Sequence, residues 1–61
     1  MNNPTEYKLL KVFGVDKVTG NSESMSPCIF VAGRFGDGFY SKQTGIEIES
    51  QLDVTNWEYL D

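Results

Sequence analysis

Sixty-one residues make one small domain, 1–61, with a formal charge of −4, no histidine and a single cysteine. That inventory excludes an internal disulfide. It also removes the side chain most used for proton transfer near neutral pH and leaves no Cys/His set of the kind that holds zinc. A chain of about 60 residues buries only about 60% of its unfolded surface, so it needs dense packing or a second copy of itself.

The charge is unevenly placed. Residues 1–42 carry +1, whereas residues 43–61 carry −5, from Glu47, Glu49, Asp53, Glu58 and Asp61 with no base among them. Such a block argues against direct nucleic-acid binding, which needs a basic stripe, and fits a protein partner with a basic surface. The N-terminal residues lack the basic and apolar regions of a leader, and no apolar run approaches a membrane span of about 20 residues. The expected compartment is the cytoplasm, where a lone thiol stays reduced.

In chain order, residues 4–15 admit two readings. As a strand from Tyr7 to Val15, the segment places Tyr7, Leu9, Phe13 and Val15 on one side. As a helix over residues 4–13, Asn3 caps, Pro4 takes the first position, Glu6 follows three residues after the cap, and Gly14 stops it. The strand is preferred because Val15–Asn21 reads as a strand entering a polar turn, with Gly20 free to take positive φ. Asn21–Ser26 is serine-rich and reads as a loop or a weak edge segment, the most mobile part of the chain.

Cys28–Ala32 is the longest apolar run. It is too short for an ordinary helix and is β-branched and aromatic at its centre, which favours a buried strand. Ile29, Val31 and Phe35 fall on one face, and Cys28, Phe30 and Ala32 on the other. Both faces are apolar, so this strand should be central, with its second face covered by a helix, a folded-over sheet or another subunit. Cys28 reads as a small core residue.

Arg34–Tyr40 reads as a hairpin through Asp37-Gly38, leading to a third strand at about 39–42. Gln43-Thr44-Gly45 turns the chain again. Ile46–Leu52 alternates, so it predicts a strand with Ile46, Ile48 and Leu52 inward and Glu47, Glu49 and Gln51 in water. A last strand is predicted over 57–60. Together these give a mainly β fold: a small four- or five-stranded antiparallel meander sheet or open barrel, with consecutive strands paired. The alternative is an α+β fold with the helix at 4–13 packed on the sheet.

No catalytic constellation emerges. Glu47 and Glu49, two residues apart on a wet strand face, lack the apolar pocket that raises a carboxyl pKa. Ser22, Ser24 and Ser26 have no neighbouring base. The G-x-x-G-x-G spacing of residues 33–38 is not the dinucleotide fingerprint. A ligand pocket of several hundred Å3 is not expected from so few residues. No enzyme activity, cofactor or metal is expected.

Of the eight aromatics, Phe13, Phe30, Phe35 and Phe39 are the core candidates. Tyr7, Tyr40, Trp57 and Tyr59 have polar tips near charges, as interface anchors do. The partner-binding candidates are Trp57, Tyr59, Glu47, Glu49, Asp53 and Arg34. The expected function is a non-enzymatic protein-binding module acting by surface occlusion, of the kind a phage or mobile element encodes against a host enzyme. In one version the Glu47/Glu49/Asp53 row imitates nucleic-acid phosphates. The alternative is a structural subunit working as a homodimer or larger homo-oligomer.

Overall fold

The computed structural model describes residues 2–34 and 36–60. It is mainly β. Four antiparallel strands, β1 (Leu10–Asp16), β2 (Ser22–Val31), β3 (Gly38–Ser41) and β4 (Leu52–Tyr59), form one sheet, with a single 3-10 turn, η1 (Ile48–Ser50). The order is β3-β2-β1-β4. The first three strands follow one another as a meander. β4 pairs with β1 rather than with β3, which gives Greek-key order and leaves β3 and β4 as the edges. The helix alternative for residues 4–13 is not formed, and no helix of the described residues is long and apolar enough to cross a membrane.

The sheet has one packed face. Leu10 and Val12 of β1, Cys28 and Phe30 of β2, Phe39 of β3, Ile48 of η1 and Leu52 of β4 form the core, with Met25, Val54 and Trp57 packed at its margin. Phe30 is 4% exposed and meets Phe39 edge-on, ring centroids 5.3 Å apart. Each such side chain stabilises the fold by about 1.5–3 kcal/mol relative to exposure. Cys28 is buried as a core residue, its Sγ donating to the Met25 carbonyl at 3.2 Å, and burial pushes its thiol pKa up.

Two segments outside the strands close the two ends of that face. At one end, residues 2–7 form a strap. Trp57 Nε1 donates to the Asn2 carbonyl at 2.8 Å, the Thr5 amide donates to Tyr59 Oη at 3.0 Å, the Tyr7 amide donates to the Phe30 carbonyl at 3.1 Å, and Glu6 accepts the Ala32 amide at 2.7 Å. Pro4 is buried within it. At the other end, η1 inserts Ile48 between β3 and β4.

Three expectations change. β1 starts at Leu10 rather than Tyr7, because Tyr7 takes a left-handed φ of 66° and turns the strap away from the ladder. Its packed face is Leu10 and Val12, whereas Tyr7 is 67% exposed and Leu9, Phe13 and Val15 are not core. Of the two readings of the serine-rich stretch the structure has the edge segment rather than the loop: Ser22 to Ser26 is the first half of β2, paired on one side by the register Val12↔Met25, Phe13↔Ser24 and Gly14↔Glu23. The alternating segment from Ile46 to Leu52 is not a strand. Gly45, at φ 76°, folds the chain back and Ser50 Oγ donates to the Glu47 carbonyl at 2.7 Å across the turn, so η1 forms and β4 begins only at Leu52. Ile46 is 52% exposed as a result. β4 in turn is longer than the predicted 57–60.

β2 lies inside the sheet, and its second face is partly shielded rather than dry: Phe13, Val15, Ile29, Val31 and Tyr40 are half-buried, with Lys11 Nζ 5.3 Å from the Phe13 ring centre. Ala32 is exposed in the 32–37 connection, which replaces a tight Asp-Gly hairpin, and the expected core role of Phe35 lies outside the described residues.

The ladder bends at two bulges. One lies on β2 at Ser26–Pro27, between the pairs Leu10↔Cys28 and Val12↔Met25, where proline has no amide to contribute. The other lies on β4 at Thr55, beside Gly14. There β1 and β4 approach so closely that a Cβ on Gly14 would sit 2.6 Å from the Asp53 carbonyl oxygen. Gly14→Ala is expected to destabilise the fold by about 1–3 kcal/mol in a denaturant titration, while Val18→Ala, at a 93% exposed site, changes it by under about 0.5 kcal/mol.

The β1–β2 turn is built on Asp16, whose carboxylate accepts the Thr19 and Val18 amides at 2.9 and 2.7 Å. Those bonds, the Thr19 amide first, hold its pKa below the usual 3.8, while the neighbouring Glu23 is raised above 4.5 by its hydrogen bond to Asp16. The lowered Asp16 contributes stability that is present above pH 3.8 and is lost as pH falls through its folded value. The raised Glu23 contributes stability that is present below pH 4.5 and is lost as pH rises through its folded value. Thermal unfolding of Glu23→Gln across pH 3–7 is expected to keep the acid limb and lose the decline above pH 4.5.

Candidate functional site

Three of the six candidate residues share β4. Trp57 stands opposite Val12, half-buried, with its indole N–H on the strap and its ring edge-on to Tyr59 at 5.0 Å. Tyr59 is 40% exposed. The Thr5 hydroxyl, and after it the Thr5 amide, lowers the Tyr59 phenol pKa from its ordinary value, and Lys8, 5.7 Å from the ring centre, adds to this. Asp53 is exposed on the other face of β4, with Lys17 Nζ at 4.0 Å. Trp57 thus closes one end of the sheet, and its polar tip is already engaged.

The other three lie elsewhere. Arg34 is exposed on the 32–37 connection. Glu47 is exposed before η1 and bridges to Tyr40 through its backbone. Glu49 is half-buried within η1, and both its carboxylate oxygens accept the Phe39 amide, at 3.0 and 3.1 Å. The expected row of Glu47 and Glu49 on one wet strand face is therefore absent. Glu49 serves β3, whose outer edge would otherwise expose that amide.

Backbone pairing shows which edges remain open. β3 is sealed: Ser41 donates to the Ile46 carbonyl and Phe39 to Glu49. β4 is not. Leu60 donates to Leu9, and Lys17 donates to the Gln51 carbonyl. Antiparallel alternation on either side of the Thr55 bulge therefore turns the backbone groups of Leu52, Val54, Trp57 and Tyr59 away from β1, and no described strand pairs with them. Asp53 and Glu58 are exposed along that same strand.

A second open edge lies on β2. β3 covers only Cys28–Val31, and the Lys42 amide on the Pro27 carbonyl is the last bond of that ladder. Beyond it a groove of about 450 Å3 runs between Ser24–Cys28 of β2 and the 41–48 turn, with Met25, Ile46 and Ile48 supplying apolar wall and Glu47 the charge. This is larger than expected for so short a chain. The turn that replaces the predicted strand at Ile46–Leu52 holds the groove open. Of the groove's residues Glu47 alone was a candidate from the sequence; the signal that could have pointed to the rest is Met25 standing among alternating serines.

Among the described residues no group of three or more His, Cys, Asp or Glu side chains is arranged to hold a metal. Comparison with family models, curated proteins and solved structures finds no match for this chain.

The two glutamates should separate experimentally. Glu49→Ala removes the charged acceptor of the part-buried Phe39 amide and is expected to cost about 1–3 kcal/mol. Glu47→Ala, at an exposed side chain, should change stability by under about 0.5 kcal/mol. Chemical denaturation of both variants checks this.

Proposed function

We propose that the protein is a non-enzymatic binding module that works by occupying a basic surface of another protein. The observation that carries this reading is the acidic open edge of β4. The outward backbone donors and acceptors of Leu52, Val54, Trp57 and Tyr59 meet no described strand, and Asp53 and Glu58 are exposed along the same strand. An open edge of eight residues is a template for another chain. Its charge favours a basic occupant and gives salt-dependent steering.

The same charge weighs against self-pairing. If two copies joined β4 to β4 about the strand midpoint, Asp53 of one would face Glu58 of the other, and like charges directly opposite are destabilising. A heterologous partner is therefore preferred to a homodimer through this edge. A non-enzymatic role is supported by the absence of histidine and by the burial that keeps the Cys28 thiol protonated.

The test is affinity capture from a lysate of the organism that encodes the chain, read by mass spectrometry. The wild type is expected to retain a protein with a basic surface, released by about 0.5 M salt as screening predicts. The Asp53→Lys, Glu58→Lys double variant is expected to lose it. Equal retention by both chains would overturn the reading.

A further inference from the structure

We propose that the groove beside β2 is a second, separate binding site, which takes an extended peptide as an added strand with an apolar residue and a Lys or Arg two positions apart. Four observations converge there.

The first is backbone valence. Asp16 donates to the Asn21 carbonyl at 2.8 Å, and the pairs Gly14↔Glu23 and Val12↔Met25 continue that register. Alternation then directs the amides and carbonyls of Asn21, Glu23 and Met25 at β1, and those of Ser22 and Ser24, on the near side of the Ser26–Pro27 bulge, away from it. No described strand meets Ser22 or Ser24 on that side. A peptide laid antiparallel to β2 would bond to them and continue the sheet where β3 leaves it.

The second is room. The groove of about 450 Å3 adjoins Ser24, Met25 and Ser26, and its far wall is the 41–48 turn. The serine side chains on the outward-bonding positions are small and uncharged. No lysine or proline stands among residues 22–26, and Pro27 with its bulge marks where the open edge ends.

The third is an apolar floor. Met25 is only partly buried against the core, and Ile46 is 52% exposed beside the fully packed Ile48. A peptide residue opposite Met25 projects onto the same face and would cover both.

The fourth is charge. Glu23 shares the Met25 face one pleat along, with Asp16 beside it, and Glu47 is the one charged residue among the described residues lining the groove. No Lys or Arg of the described residues lies within 4.0 Å of any of these three carboxylates. A peptide residue opposite Glu23 is two positions from the one opposite Met25, so the period of a strand places a cation there. This sets the order apolar, any, basic.

The experiment pans a library of random 12-residue peptides on the intact chain at about 0.15 M salt, a condition that screens weak long-range attraction. The selected peptide is then titrated into the isotope-labelled protein by NMR. Enriched sequences are expected to carry the apolar-x-basic pattern. Amide shifts are expected to cluster at 22–26 and 43–48 and to spare 52–59. Glu23→Lys and Ile46→Lys, both at exposed side chains, are each expected to weaken binding at least tenfold with the melting temperature preserved. Replacing the basic residue of the peptide by Glu should do the same. No enriched peptide, shifts confined to β4, or affinity unchanged in both variants would overturn the proposal.

Discussion

A sheet of four short strands has one face to bury and two ends at which water can reach it, and the shelter of those ends is the constraint on which the rest of this structure depends. Leu10 and Val12 are fully buried because the strap of residues 2–7 lies at one end and Ile48 of η1 at the other. Neither piece is a strand. Both are fastened by side chains and isolated backbone bonds: Trp57 and Tyr59 hold the strap, and Glu49 and Ser50 hold the turn. The aromatic and acidic residues of the C-terminal third therefore have structural duties before any partner is considered.

The same economy shapes the edges. η1 seals β3 by lending Glu49 to the Phe39 amide, and in doing so draws residues 43–47 away from β2. The seal on one strand opens a groove on the next. At the opposite side of the sheet, the close approach at Gly14 and the bulge at Thr55 bend β4 around β1 and leave its outer edge bare. Edges and fold are thus consequences of one another: among the described residues the sheet keeps two open edges, because the strap and η1 are taken up by covering its packed face.

Much of the architecture was legible in local pattern. The apolar Cys28–Ala32 run is an interior strand, Gly20 supports the first turn, and the 39–42 region holds the third strand. The candidate site was less legible. Trp57, Tyr59 and Asp53 do share a strand, but Glu47 and Glu49 were assigned a common face by alternation alone. Period two in Ile46-Glu47-Ile48-Glu49 is a statement about hydropathy, and it was outcompeted by the Ser50 hydroxyl bonding back to the Glu47 carbonyl and by an amide on another strand that needed a carboxylate.

By itself, the sequence determined the fold class, the absence of histidine and disulfide chemistry, and the acidic bias of the last third, because these depend on composition and on contacts between near neighbours. Tertiary structure alone decided that β4 returns to β1, that residues 2–7 serve as a strap, and which backbone groups stay open. Those outcomes depend on bonds such as Trp57 to Asn2 and Glu6 to Ala32, which join residues far apart in the chain. No local period encodes them, since each is chosen by which distant donor is left unpaired once the strands have formed.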